Sequence, residues 1–255
     1  MLIATWNVNS IRARIERVTA WLAAQEPDVL CMQELKVEEK DYPLEAFAAL
    51  GYQSVQACQK TYNGVAILSK RPLEDVRCGL DDGVDDAQAR LIEATVDGVR
   101  ILNVYAPNGQ VVGSEKWTYK LAWLDRLRAH LERRHDRAEP LVLCGDFNVA
   151  PEPRDVHDPL EWEPSVLFHP EARRALERVR GWGLSDAFRM HHHDPGFYTW
   201  WDYRLLSFPK NRGLRIDHMF VSGALAARCR DCWIDREARK GKQPSDHAPV
   251  LMQLL

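Results

Sequence analysis

No apolar run in the sequence approaches the roughly 18–20 residues that a membrane span requires. The N-terminus, Met1-Leu2-Ile3-Ala4-Thr5-Trp6-Asn7, lacks the basic and long apolar regions of a secretory signal, so a cytoplasmic chain is expected. The six cysteines, at positions 31, 58, 78, 144, 229 and 232, have no framework spacing. Cys229-Arg-Asp-Cys232 is a lone CxxC with no second ligand pair, which argues against a zinc module and against a disulfide scaffold. Low-complexity linkers, internal repeats and long charge blocks are missing too, and a single domain spanning 1–255 is expected.

A basic excess is also lacking. The chain carries 34 Lys+Arg against 37 Asp+Glu, a net charge of −3, which taken alone argues against a nucleic-acid partner. The charge is unevenly spread, however: residues from Lys210 onward sum to +4 and residues 1–209 to −7. An acidic protein can still present a basic rim around an acidic site.

What is present is apolar material, at 45% of 255 residues and including nine Trp. That excludes intrinsic disorder. A chain of this length buries roughly 70–75% of its unfolded surface. Short Val/Ile/Leu-rich runs predict strands at Leu2–Trp6, Val29–Met32, Val65–Leu68, Leu91–Val96, Arg100–Tyr105, Leu141–Cys144, Ile216–Val221 and Pro249–Leu254. Helical spacing predicts helices over Ile11–Ala24, with Ser10 as N-cap, over Glu115–Arg134, and over Pro170–Arg180. Asp97-Gly98 is a hairpin turn between two of the strands. Consecutive strands without a helix between them require mixed or antiparallel sheets, packed face to face with helices outside.

Polar residues gather where these strands end: Asn7-Val8-Asn9, Gln33-Glu34, Tyr105-Ala106-Pro107-Asn108, Gly145-Asp146-Phe147-Asn148, Arg215-Ile216-Asp217 and Ser245-Asp246-His247. Any one of these suits a turn. Together, at one edge of a sandwich, they suit an active site. Glu34 and Asp246 are oxygen ligands for a hard cation such as Mg²⁺. Asp146 and Asn148, two apart, point the same way on an extended backbone and can act on a water. Asp217 and His247 would pair as carboxylate and imidazole. A cation and an imidazolium facing one point suit phosphoryl transfer.

Longer stretches carry a resemblance. They are Trp6-Asn7-Val8-Asn9-Ser10-Ile11-Arg12, Gln33-Glu34-Leu35-Lys36, Tyr105-Ala106-Pro107-Asn108-Gly109 and Gly145-Asp146-Phe147-Asn148. Trp200-Trp201-Asp202-Tyr203-Arg204, Asn211-Arg212-Gly213-Leu214-Arg215-Ile216-Asp217 and Pro244-Ser245-Asp246-His247-Ala248-Pro249-Val250 complete the set. Over essentially its whole length the chain resembles the exonuclease III family of bacterial DNA-repair nucleases, within the exonuclease/endonuclease/phosphatase superfamily. The Trp-rich and Asn-Arg-Gly stretches point to the DNA-repair branch rather than to its phosphatase relatives, which act on small-molecule or lipid phosphoesters and remain the alternative.

The resemblance implies a four-layer α/β sandwich and Mg²⁺-dependent hydrolysis, with Mn²⁺ as a substitute. The implied partner is duplex DNA carrying abasic sites or 3′ ends, bound by a monomer without a membrane. It makes Glu34 the principal metal ligand, with Asp246 and Asn9 nearby, and gives Asp146 the water. Asn7 and Asn148 would position Asp146, and Asp217 would support His247 against the scissile phosphate. Tyr105 and Asn108 would bind phosphate, and Trp200 and Leu214 would form a small apolar pocket for a baseless sugar. Arg212, Arg215, Arg236, Arg239, Lys240 and Lys242 are expected to supply phosphate contacts, with Lys240-Gly241-Lys242 as a mobile loop. The Asp81–Asp86 segment reads as an exposed acidic loop and His191-His192-His193 as a solvated one.

Overall fold

This computed structural model describes all of residues 1–255. The strands are β1 (Leu2–Asn7), β2 (Val29–Gln33), β3 (Gln53–Ala57), β4 (Val65–Ser69), β5 (Glu74–Cys78), β6 (Leu91–Val96), β7 (Val99–Tyr105), β8 (Leu141–Asp146), β9 (Leu184–Asp186), β10 (Asp217–Ser222), β11 (Cys229–Ile234) and β12 (Val250–Leu254). The helices are α1 (Ile11–Gln25), α2 (Leu44–Ala48), α3 (Glu115–Arg134), α4 (Pro159–Trp162), α5 (Pro170–Arg180), α6 (Ala187–His191) and α7 (Gly223–Ala226).

The strands form two six-stranded sheets, in the orders β11-β12-β1-β2-β4-β3 and β5-β6-β7-β8-β10-β9. Both are mixed: β1 runs parallel to β2 and β7 to β8, and the other pairings are antiparallel. Every expected strand forms, each within two residues of its predicted ends. The Asp97-Gly98 turn joins β6 to β7 with Val96 opposite Val99.

Three apolar layers hold the sandwich together. Ile3, Cys31, Ile67, Ile101, Val142 and Met252 fill the space between the sheets. Val18 and Leu22 of α1 cover the outer face of the first sheet. Leu124, Leu127 and Leu131 of α3 and Leu176 and Val179 of α5 cover the second. The layers are therefore helix, sheet, sheet, helix, as expected. Ser10 caps α1 by accepting from the Ala13 amide. A polar pin crosses the central layer: Asn103 Nδ2 donates to the Met32 and Ala66 carbonyls, and its Oδ1 accepts from Gln33. Such a buried, satisfied amide fixes how the sheets register against each other.

The register sets up the site. Across the second sheet Tyr105, Asp146 and Asp217 stand side by side on β7, β8 and β10. Across the first, Asn7 at the end of β1 stands opposite Gln33. Gly145 is needed for this: its φ is +138°, and a Cβ there would lie 1.9 Å from the Val104 carbonyl oxygen.

Candidate active site

Asn7 is the hub. Its Nδ2 donates to Glu34 Oε1 at 2.8 Å and to Asp146 Oδ2 at 2.9 Å, joining the two sheets' contributions. Its Oδ1 accepts from the Asn9 amide at 2.9 Å. Asp146 Oδ1 accepts from the Asn148 backbone at 2.8 Å, and the Asn148 side chain reaches Asp146 Oδ2 at 3.3 Å. Asn148 also donates to the Ala106 carbonyl and accepts from Asn108 Nδ2 at 3.1 Å. Donor atoms of Glu34, Asp146 and His247 all lie within 4.8 Å of one another. Residues distant in the chain thus meet in one place.

The Asp217–His247 pair forms as expected, with His247 Nδ1 2.8 Å from Asp217 Oδ2. That leaves Nε2 facing Asp146 Oδ2 at 3.8 Å. Burial pushes the imidazole pKa down, but the carboxylates of Asp217 and Asp146 outweigh it and raise it to about 10. His247 is therefore a cation at neutral pH. Burial and the charge of Asp217 push Asp146 upward, toward the range of a general base. Burial, then the charges of Glu34 and Asp146, push the Tyr105 phenol up, so it stays protonated and able to donate.

These groups fit a hard divalent cation. A protonated His247 offers no lone pair, which leaves the oxygens of Glu34 and Asp146. An ammonium already sits at this acidic point: Lys36 Nζ lies 2.7 Å from Glu34 Oε2 and 2.7 Å from Asn9 Oδ1. Asp246 is placed differently from the expectation. Its oxygens accept from Asn9 Nδ2 at 2.9 Å and Trp200 Nε1 at 3.0 Å, so it reaches the acidic cluster through Asn9 rather than facing Glu34.

Four other expectations need correction. Arg215 is buried: its guanidinium lies 2.7 Å from Asp155 and 2.8 Å from Asp186, and no phosphate can reach it. Arg239 is buried against the Tyr203 and Phe208 rings. Leu214 belongs to the core beneath Trp200, paired with it backbone to backbone, and offers no open pocket wall. The Lys240–Lys242 segment, expected as a mobile loop, is held by Arg17, which donates to the carbonyls of Ala238, Lys240 and Lys242. Arg212, Lys240 and Lys242 are exposed, and Trp200 is half-buried beside His247, with which its backbone bridges.

Smaller expectations shift as well. Asp82 and Asp86 of the acidic segment are tied to α3 through Arg126. His192 stacks on Phe188 at 4.6 Å instead of standing in solvent.

Sequence reasoning missed Lys120. Fully buried on α3, it donates to the carbonyls of Asn108 at 3.0 Å, Asn148 at 2.7 Å and Val166 at 2.6 Å. Burial lowers its pKa to about 7. It holds the two loops that carry Asn108 and Asn148. The available signal was a lysine one position before Leu121 in an amphipathic helix, which reads as solvated. Also missed were the left-handed backbones of Asn9, Glu34 and Asn148, with φ of 45°, 54° and 52°. Such residues cost about 1–3 kcal/mol each and cluster where a site needs side chains aimed.

Known proteins share this fold. The model of the endonuclease/exonuclease/phosphatase family matches residues 4–247. Exodeoxyribonuclease III of Haemophilus influenzae is 35% identical, with 98% of each chain covered. An AP endonuclease from Archaeoglobus fulgidus is 43% identical and superposes with a TM-score of 0.97, covering 100% of this chain and 99% of that one. A 3′ phosphatase from Neisseria, solved with a product DNA hairpin, is 42% identical with a TM-score of 0.96 over 100% and 99% of the chains. With the fold, the strand-end site and these likenesses in agreement, the chain belongs to the endonuclease/exonuclease/phosphatase family.

Proposed function

We propose that this protein is a DNA-repair nuclease. It hydrolyses phosphodiester bonds of duplex DNA with Mg²⁺, cutting 5′ to abasic sites and removing nucleotides or blocking groups from 3′ ends. The observation that carries this reading is the meeting of Glu34, Asp146 and His247 within 4.8 Å, with Asp217 on the far side of the imidazole.

A divalent cation bound at Glu34 would neutralise charge on the phosphate and on the leaving oxygen. Asp146, held by Asn7 and by the Asn148 amide, orients the water and accepts its proton as oxygen attacks phosphorus. His247, kept cationic and aimed by Asp217, lies against the negative charge that spreads over the non-bridging oxygens. Tyr105 presents a protonated phenol to the same phosphate, and Asn108 lies next to it, backed by Asn148. Exposed Arg212, Lys240 and Lys242 supply sequence-independent backbone contacts. Trp200 flanks His247 where the sugar of the cleaved nucleotide would sit.

One preparation offered two duplexes, one with an internal abasic analogue and one with a recessed 3′ end, tests this. Mg²⁺-dependent, EDTA-sensitive cleavage of at least one is expected. Hydrolysis of inositol phosphates with neither duplex cleaved would replace this reading with the phosphatase one.

A further inference from the structure

A second group of metal-ligating side chains lies far from the cleft. Glu93, in the middle of β6, faces α3 rather than the space between the sheets and is fully buried. His130 on α3 and His135, just beyond its end, turn their Nε2 atoms toward it. His130 Nε2 is 3.7 Å from Glu93 Oε1, and His135 Nε2 is 3.0 Å from Oε2. Lys120, which touches the catalytic loops, is ten residues before His130 on the same helix, about 15 Å away at 1.5 Å per residue.

Three features make this a built site. First, each imidazole is fixed from its other nitrogen. His130 Nδ1 bonds the Leu80 carbonyl at 2.9 Å, and His135 Nδ1 bonds Glu139 Oε1 at 2.7 Å. An oxygen acceptor behind each ring suits a proton on Nδ1 and an Nε2 lone pair turned inward, the arrangement that metal-bound histidines show. Second, Glu93 Oε1 and His130 Nε2 are buried without a hydrogen-bond partner, and His135 Nε2 faces only Glu93 Oε2, at 3.0 Å. Unsatisfied buried polar atoms are costly and rare, and two facing each other beside a third ligand nitrogen ask for an occupant. Third, the donors are two imidazoles and one carboxylate, a set that suits zinc and leaves a fourth position for water. A small cavity of about 170 Å³ bordered by His135, Arg100 and Glu139 lies next to it. Arg100 also pairs with Glu93, but it shares its charge with Asp75.

We propose that Glu93, His130 and His135 bind one divalent cation of the zinc class, joining β6 to the C-terminal end of α3. The ion would lie apart from the hydrolytic centre, with water completing its coordination. It would lock the segment before β6 as well, since Leu80 accepts from His130 and Arg133, and Asp82 and Asp86 pair with Arg126.

The test uses full-length protein stripped with EDTA, held in saturating Mg²⁺ and titrated with Co²⁺, whose visible absorption reports four-coordinate geometry. Wild type is expected to bind one such Co²⁺, displaced by Zn²⁺. His130→Asn and His135→Asn should weaken binding at least about tenfold, and Glu139→Gln, which leaves all three ligands in place, about 10–100-fold. Asp146→Asn should leave the band unchanged. Circular dichroism checks that each variant folds, and Glu139→Gln carries the test if a histidine variant does not. Absence of the band in wild type overturns the proposal. So does a band that survives in the folded His135→Asn and Glu139→Gln proteins, or one lost in Asp146→Asn.

Discussion

Glu34, Asp146 and His247 meet where strands of both sheets end, with Glu34 still reaching solvent; Glu93, His130 and His135 meet beneath a helix, with Glu93 fully enclosed. The residue types are nearly the same. What differs is the supporting partners. In the cleft, His247 has a carboxylate behind it and a second in front, so it holds a proton and leaves metal binding to oxygens. In the buried cluster, His130 is backed by the neutral Leu80 carbonyl and its Nε2 has no hydrogen-bond partner, while His135 lies between the carboxylates of Glu139 and Glu93. Exposure also separates them: the cleft cluster opens to solvent at Glu34, where a substrate can enter, and Glu93 has no such opening.

The largest effects should separate the clusters by activity. Asp146→Asn is expected to lower cleavage of either duplex by about 10²–10⁴-fold, the usual worth of a general base. The same change should raise Tm in EDTA, because it removes a carboxylate that burial and Asp217 hold in an unfavourable charged state. A folded variant that keeps wild-type cleavage would remove Asp146 from the chemistry.

Next in size is the pH response. In Asp217→Asn the imidazole loses one of the charges that raise its pKa to about 10. Activity should then be lost at lower pH on the alkaline side, as His247 deprotonates earlier. An unshifted alkaline limb in the pH–rate profile would contradict the cationic role. The sign for stability follows: a raised imidazole pKa stabilises the fold fully below about 6.5 and loses that contribution as pH rises through about 10.

Arg215→Met probes the ion network under β10 and leaves Asp155 and Asp186 buried with less compensation. Breaking such a pair from one side costs about 3–5 kcal/mol, read as a drop in denaturation midpoint. If the variant instead keeps its stability and weakens DNA binding, Arg215 has an external role after all. Smallest is Arg17→Ala. It frees the Lys240–Lys242 carbonyls and should raise the proteolytic sensitivity of that loop with less than about tenfold effect on cleavage.

The sequence was legible where burial is two-sided. All eight expected strands are interior members of their sheets, enclosed on both faces and written as continuous apolar runs. The four unread strands, β3, β5, β9 and β11, are the four sheet edges. Glu74-Asp-Val-Arg-Cys78 is exposed at every position, so its backbone pairing with β6 leaves no apolar signature.

The site followed the same logic. Polar residues at the ends of apolar strands were visible because the strands were. Arg215 was misplaced because its partners, Asp155 and Asp186, lie 60 and 29 residues away. From local sequence a buried arginine and a DNA-facing one look alike. Lys120 and Glu93 share that difficulty: each is one charge inside an amphipathic or apolar element, and only the packed structure shows the carbonyls or imidazoles that surround it.

Mg²⁺ dependence of single-turnover cleavage on the abasic duplex, measured for Glu34→Gln beside Glu93→Gln, tests the assignment most directly. The cleft assignment predicts that Glu34→Gln needs at least about tenfold more Mg²⁺, in the range that losing a metal-site partner costs, while folded Glu93→Gln keeps the wild-type requirement. A wild-type Mg²⁺ curve for Glu34→Gln, or a shifted one for Glu93→Gln, would contradict it.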